Sequence, residues 1–284
     1  PATAEVLGRW RQQGHGRWRL LANPVNLGFV ATANRGLRET AGDVVLLNSD
    51  TEVTRGWLEG LGRCLASDPA IATATPWTNN GEIASMPRFC RVNSPPADRA
   101  VLERAWRQAM VQSGPARYPD LPTAVGFCMA ISRRAIERVG LFDERLFGRG
   151  YGEENDFCMR AQAAGLRNVL CDDVYVVHLG GRSFGPLGLK PDEGSMQRLL
   201  SRHPDYLEQV QAFIAADPLA ERRQAIVAEL ERAGCRLGSN RPVEPRRGET
   251  IDRQGQAGIH RGTIHAGVRP RDPLRALSPL RICA

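Results

Sequence analysis

Apolar residues recur along this chain in two rhythms. One is a set of short, continuous runs that close on polar residues. The strongest is Asp43–Asp50, reading Asp-Val-Val-Leu-Leu-Asn-Ser-Asp. A run of that kind suits a strand buried on both faces. Trp18–Asn23, Ile71–Trp77, Ala124–Ser132, Asn168–Cys171 and Val174–His178 are weaker candidates for further strands. The other rhythm is helical and fills the intervals. It covers Leu27–Glu39 and then Arg55–Ser67, where Thr54 is a candidate N-cap and Trp57, Leu58, Leu61 and Leu65 share one face. It returns over Arg133–Val139, which Gly140 is placed to end, and over Glu153–Ala164, bounded by Gly152 and Gly165. Strands alternating with helices predict an α/β layered domain with a largely parallel sheet and flanking helices.

The alternation breaks between Thr78 and Pro122. That stretch is rich in Pro, Asn and Arg, with a short helical run near Val101–Met110. An excursion so long inside a compact domain is expected to be functional or disordered. Beyond Pro191 three amphipathic helices are expected, Glu193–Arg202, Asp205–Ala216 and Leu219–Ala233. From Cys235 onward there is no Phe, Trp or Tyr, and Arg, Gly and Pro dominate. Such a composition cannot bury enough apolar area to offset ordering entropy, so this tail is expected to be disordered. The division expected is an α/β domain over residues 1–216, a C-terminal helix over 217–234 and the tail over 235–284.

Charge and cysteine content narrow the functional classes. The formal net charge is +7, but the tail holds ten Arg against four acids, so the rest of the chain is nearly neutral. The basic character belongs to the tail, which lacks aromatic residues, and a nucleic-acid binder is not expected. The seven Cys include no Cys-x-x-Cys pair, which argues against a disulfide framework and a zinc–thiolate site. A reducing cytoplasm is the simplest home for them. No apolar run is long enough to span a bilayer, so peripheral contact is the most that is expected.

Three constellations carry candidate chemistry. Asn48-Ser49-Asp50 closes the strongest strand, and ligands of open α/β sheets bind at the carboxyl ends of strands. A carboxylate there can hold Mg²⁺ or Mn²⁺, or can simply end the strand in an Asx turn. Tyr151-Gly152-Glu153-Glu154-Asn155-Asp156 opens a helix. Its acids either complement the helix dipole or offer one carboxylate to a cleft as a proton acceptor. His178 ends the apolar strand Val174–Val177, as a metal ligand or as a hydrogen-bonded edge residue. No Gly-x-Ser-x-Gly elbow, His-Glu-x-x-His or Gly-x-Gly-x-x-Gly after a strand is present.

In this order the segments resemble family 2 glycosyltransferases of the glycosyltransferase A fold, and most of all the bacterial rhamnosyltransferase-like branch that builds surface polysaccharides. The resemblance rests on Asn26-Leu27-Gly28-Phe29 with Asn34-Arg35-Gly36, on Leu46–Thr51, and on Gly126-Phe127 with Gly140–Glu144. Tyr151–Asp156 with Arg160, and His178-x-Gly-x-x-Ser-Phe, complete it. It implies an inverting transfer of sugar from a nucleotide-sugar donor to a glycan or lipid-linked acceptor. Asn26, Gly28, Asn34, Asn48 and Asp50 would lie on the donor side, and Asp50 and His178 would hold Mg²⁺ or Mn²⁺. Glu154 would be the catalytic base, with Glu153 and Asp156 supporting it. The resemblance also implies that the family's first strands are missing ahead of Trp18–Asn23. A non-catalytic fragment of such an enzyme is the alternative.

Overall fold

A computed structural model of the chain describes residues 19–180, 193–238 and 281–283, together with positions 5, 8 and 9. Six strands form one sheet: β1 (Val44–Leu47), β2 (Thr51–Val53), β3 (Ile71–Trp77), β4 (Cys128–Ile131), β5 (Arg167–His178) and β6 (Arg281–Cys283). The helices are α1 (Phe29–Arg38), α2 (Trp57–Ser67), α3 (Arg99–Gln112), α4 (Arg133–Val139), α5 (Glu144–Phe147), α6 (Glu153–Ala163), α7 (Glu193–Arg202), α8 (Tyr206–Ala216) and α9 (Ala220–Arg232).

The strand order is β2-β5-β3-β4-β1-β6. β3 is parallel to β5 and β1 to β6, whereas β4 runs antiparallel to both β1 and β3, and β2 antiparallel to β5. The sheet is therefore mixed rather than largely parallel. The excursion after β3 closes with Asp120 bridged antiparallel to Val169 of β5, and the chain then enters between β3 and β1 as β4.

Both faces of the central strands are covered, as the continuous apolar runs require. Val44, Leu46, Met129 and Ile131 pack on one side with Val30 and Leu37 of α1 and Phe157 of α6. Val45, Cys128 and Ala130 point the other way, toward Leu61, Cys64 and Leu65 of α2. The period of two along each strand thus feeds two cores. A third cluster joins Trp77 and Tyr175 to Leu102 and Trp106 of α3 and to Ile226 and Leu230 of α9. The excursion is therefore ordered where it carries α3, because α3 and α9 cover apolar area on each other.

Several local expectations change. The described residues 19–23 form no strand. Asn168–Cys171 and Val174–His178 are one strand with a bulge, since Pro76 pairs with Cys171 and Trp77 with Tyr175. Asp172 in that bulge accepts hydrogen bonds from the Arg117 and Tyr118 N–H groups and from Arg222 of α9 at 2.7 Å, so its burial is compensated. Thr54 does not cap α2 with its side chain. Its hydroxyl donates to the Tyr175 carbonyl, and Gly56, in the left-handed region, precedes the helix. Ser132 caps α4 and Gly140, at φ +83°, ends it. At the start of the expected tail Cys235 is buried and Leu237 packs on the third cluster, so the ordered chain runs past the compositional break. Arg281–Cys283 pairs with β1, which composition did not foretell, and the remainder of the tail lies outside the described residues. No helix among the described residues is long and apolar enough to cross a membrane.

Candidate functional site

The turn between β1 and β2 carries Asp50 into the sheet's interior. Its partner strand β5 ends at His178, and the register sets Thr51 opposite His178. The Leu179 N–H donates to the Asp50 carbonyl. Asp50 is 5 % exposed, and its Oδ1 lies 3.5 Å from His178 Nε2. His178 Nδ1 lies 2.6 Å from the carbonyl oxygen of Asn80. A carbonyl only accepts, so Nδ1 is the N–H of the ring, and in the neutral imidazole Nε2 carries the lone pair. A lone pair facing a carboxylate is unfavourable unless a cation or a proton lies between them. Two ligands of one divalent ion, at bonds near ~2.1 Å, stand about 3–3.5 Å apart, so the pair fits such an ion. Among the described residues no group of three or more His, Cys, Asp or Glu could hold a metal. Two protein ligands that leave the other positions to phosphate oxygens and water are the usual arrangement for Mg²⁺.

The Gly126-Phe127 segment links this pair to the acids of α6. The Phe127 ring stacks on His178, with centroids 5.2 Å apart and planes 18° from parallel. The Phe127 carbonyl accepts from the Asn48 N–H, which holds the β1–β2 turn against it. On the other side of the segment, a Cβ on Gly126 would stand 3.6 Å from Glu154 Oε1. The missing side chain leaves the Glu154 carboxylate room.

Glu153 and Glu154 open α6 after a loop with positive φ at Gly148, Gly150, Tyr151 and Gly152. Gly152 is required sterically as well, since a Cβ there would meet the Phe147 ring at 2.8 Å. Oε2 of each glutamate is shielded from solvent and has no hydrogen-bond partner among the described residues. Burial, and then the charge of Glu154, push the Glu153 carboxyl up to about 9. Burial raises Glu154 as well, while the hydrogen bond from Glu153 opposes that rise. Burial and mutual closeness thus make both carboxyls of the pair hold protons more tightly than a free carboxylate does.

The other candidate residues take different places. Asp156 is fully buried, and its carboxylate is held by Arg160 at 2.8 Å, Arg202 at 3.0 Å and His203 at 2.9 Å. It fastens α6 to α7 and is saturated with donors. Asn34 is equally occupied. Its amide donates to the Phe142 carbonyl and to Glu144, and its oxygen accepts from the Phe142 N–H, so it joins α1 to α5. Asn26 closes an Asx turn on the Gly28 N–H. Gly28, at φ +79°, lies against Arg149, where a Cβ would meet the Arg149 Cα at 2.8 Å. Asn26, Gly28 and Asn34 therefore brace α1 against the loop before α6. Asn48 stays beside Asp50. Sequence reading named Gly126-Phe127 only as a segment of the resemblance, with no site role, and did not single out Asn79 or Asn80. The only available signal was their position at or just before a strand boundary.

Residues 1–140 of the 284 match the family described as glycosyl transferase family 2. Among solved structures the chain is similar to one titled "Crystal structure of GalNAc-T7 with UDP, GalNAc and Mn2+". Identity is 14 % and the TM-score 0.51, over 82 % of this chain and 46 % of that one. It is also similar to the mannosyltransferase PcManGT from Pyrobaculum calidifontis in complex with GDP-Man and Mn²⁺. Identity there is 18 % and the TM-score 0.44, over 82 % of this chain and 60 % of that one. The matched part is thus roughly half of each relative's length. No curated protein matches the sequence. The fold is of the glycosyltransferase A type, a central sheet flanked by helices.

Proposed function

We propose that this chain transfers a sugar, with inversion, from a nucleoside-diphosphate sugar to a hydroxyl of a glycan or lipid-linked saccharide. The observation that carries the reading is the Asp50–His178 pair, set beside the Glu153–Glu154 pair by one two-residue segment, Gly126-Phe127. A family 2 match over residues 1–140, which include Asp50 and Gly126-Phe127, supports it.

Asp50 and His178 would hold Mg²⁺ or Mn²⁺, which when bound offsets the charge of the leaving diphosphate. Asn48, at the same turn, would face the donor. Glu154 takes the proton of the acceptor hydroxyl as its oxygen bonds to the anomeric carbon. The bond from that carbon to the diphosphate oxygen breaks on the opposite face, and its electron pair leaves with the diphosphate. One displacement inverts the centre and requires no protein nucleophile. Glu153, whose carboxyl burial and the neighbouring Glu154 push up, shares the same buried start of α6 and keeps the environment of Glu154 poor in charge. The motif series favours the rhamnosyltransferase-like branch, hence bacterial surface polysaccharide synthesis on the cytoplasmic side with peripheral membrane contact at most.

The test is release of nucleoside diphosphate from a panel of UDP-, GDP- and dTDP-sugars with Mn²⁺ and saccharide acceptors. The wild type should turn over at least one donor. Glu154→Gln should bind that donor with unchanged affinity and lose transfer by roughly 10²–10⁴-fold. Wild-type turnover in Glu154→Gln overturns the assignment of the base. A wild-type chain that binds no donor overturns the function.

A further inference from the structure

The amide side chain of Asn79 makes a two-bond pair with the main chain of His178. Its Oδ1 accepts from the His178 N–H at 2.9 Å, and its Nδ2 donates to the His178 carbonyl at 2.9 Å. Asn79 is 2 % exposed and stands two residues beyond Trp77, the last residue of β3. The β3–β5 ladder ends where Trp77 pairs with Tyr175. The amide continues it by imitating a backbone peptide.

Asn79 is fixed in turn by Asn93, itself 1 % exposed. The Asn93 N–H and Nδ2 both donate to the Asn79 carbonyl, and Asn79 Nδ2 donates to the Asn93 carbonyl. Asn93 Nδ2 also donates to the Arg88 and Arg91 carbonyls, so the loop after β3 is tied at several points. The next residue in the loop, Asn80, presents the carbonyl that receives His178 Nδ1–H. Gly180 makes the approach possible, because a Cβ there would stand 2.3 Å from Asn80 Nδ2. One short loop therefore sets both the main chain of His178 and the tautomer of its ring.

We propose that Asn79 is a positioning residue for His178: its amide clamps the strand end so that Asn80 holds Nδ1–H and Nε2 is directed at Asp50. The proposal rests on the reading of Asp50 and His178 as the cation pair. Groups that orient a ligating imidazole typically change metal affinity by roughly 10- to 100-fold when removed. Asn79→Ala loses both bonds to His178. Asn79→Asp keeps the acceptor for the His178 N–H, and sets a carboxylate oxygen against the His178 and Asn93 carbonyls.

Mn²⁺ binding by the full chain, followed by electron paramagnetic resonance with UDP or GDP present, separates the outcomes. His178→Ala is the reference variant, and ¹⁵N shifts of the His178 ring are recorded on the metal-free proteins. Both Asn79 variants should bind Mn²⁺ about 10- to 100-fold more weakly, and their turnover should recover at high Mn²⁺. Their ring should also leave the single Nδ1–H tautomer of the wild type. Asn79→Asp keeps the size of the wild-type side chain and stands in if Asn79→Ala does not fold. Folded Asn79 variants with wild-type Mn²⁺ affinity and tautomer, differing only in melting temperature, overturn the proposal alone. A wild type that binds no Mn²⁺, or a His178→Ala chain that binds it equally well, overturns the metal reading and this proposal with it.

Discussion

A carboxyl group buried against another carboxyl gives up its proton late, and folding stability records this. The Glu153 carboxyl lies near 9 in the folded chain against an ordinary value of 4.5. Between those values the folded state binds a proton that the unfolded state has released. Stability is therefore full below about pH 4.5 and is lost as pH rises toward 9. Glu153→Gln removes that loss. Its melting temperature should match the wild type near pH 5 and exceed it at pH 8.5, where the difference in unfolding free energy is on the order of a few kcal/mol. Melting curves offset equally at both pH values would show that Glu153 is not the proton-holding member. At this scale the site was partly legible. Asp50, His178 and Glu154 each stand where a strand ends or a helix begins, and chain order marks such places. Asn79, Asn80 and Phe127 reach His178 across long separations in sequence, and no local pattern records those contacts. Asn34 was legible as a motif residue, whereas the use of its amide inside the fold, on Phe142 and Glu144, was not.

Helices α6 and α7 meet at Asp156, and there a residue expected near the chemistry serves to join elements. Its carboxylate receives Arg160 from its own helix, Arg202 from α7 and His203 just beyond α7. Asp156→Ala should lower stability by about 2–3 kcal/mol. That is less than the roughly 3–5 kcal/mol seen when a fully buried ion pair loses one member, because both arginines keep partial contact with water. Denaturant unfolding measures the loss, and donor affinity of the folded fraction should be unchanged. A stable Asp156→Ala chain without transfer activity would return this residue to the catalytic group. Element boundaries were largely readable because α1, α4 and α7 to α9 carry amphipathic periods, and Ser132 and Gly140 mark the ends of α4 chemically. β5 read as two strands because Asp172 and Asp173 interrupt its apolar run. The structure keeps it whole by spending the interruption on a bulge whose buried acid is met by Arg222.

The whole molecule is a two-faced sheet whose strand ends gather donors and acids on either side of Gly126-Phe127. The layers followed from the continuous apolar strands. The direction of β4 did not, because an excursion can return a chain to the sheet in either sense and the apolar pattern of the strand is the same both ways. The same sheet makes the cation pair a property of topology. β2 is antiparallel to β5 with Thr51 opposite His178, which brings Asp50, one residue before β2, beside the end of β5. The measurement that tests this most directly is Mn²⁺ binding to the intact chain with and without a nucleoside diphosphate, in the wild type, Asp50→Ala and His178→Ala. The account predicts diphosphate-dependent binding in the wild type and a loss of at least ~10-fold in each variant. In the double variant the loss should be smaller than the product of the two, since both ligands serve one ion. Wild-type affinity in either single variant, or losses that multiply independently, would contradict a shared site.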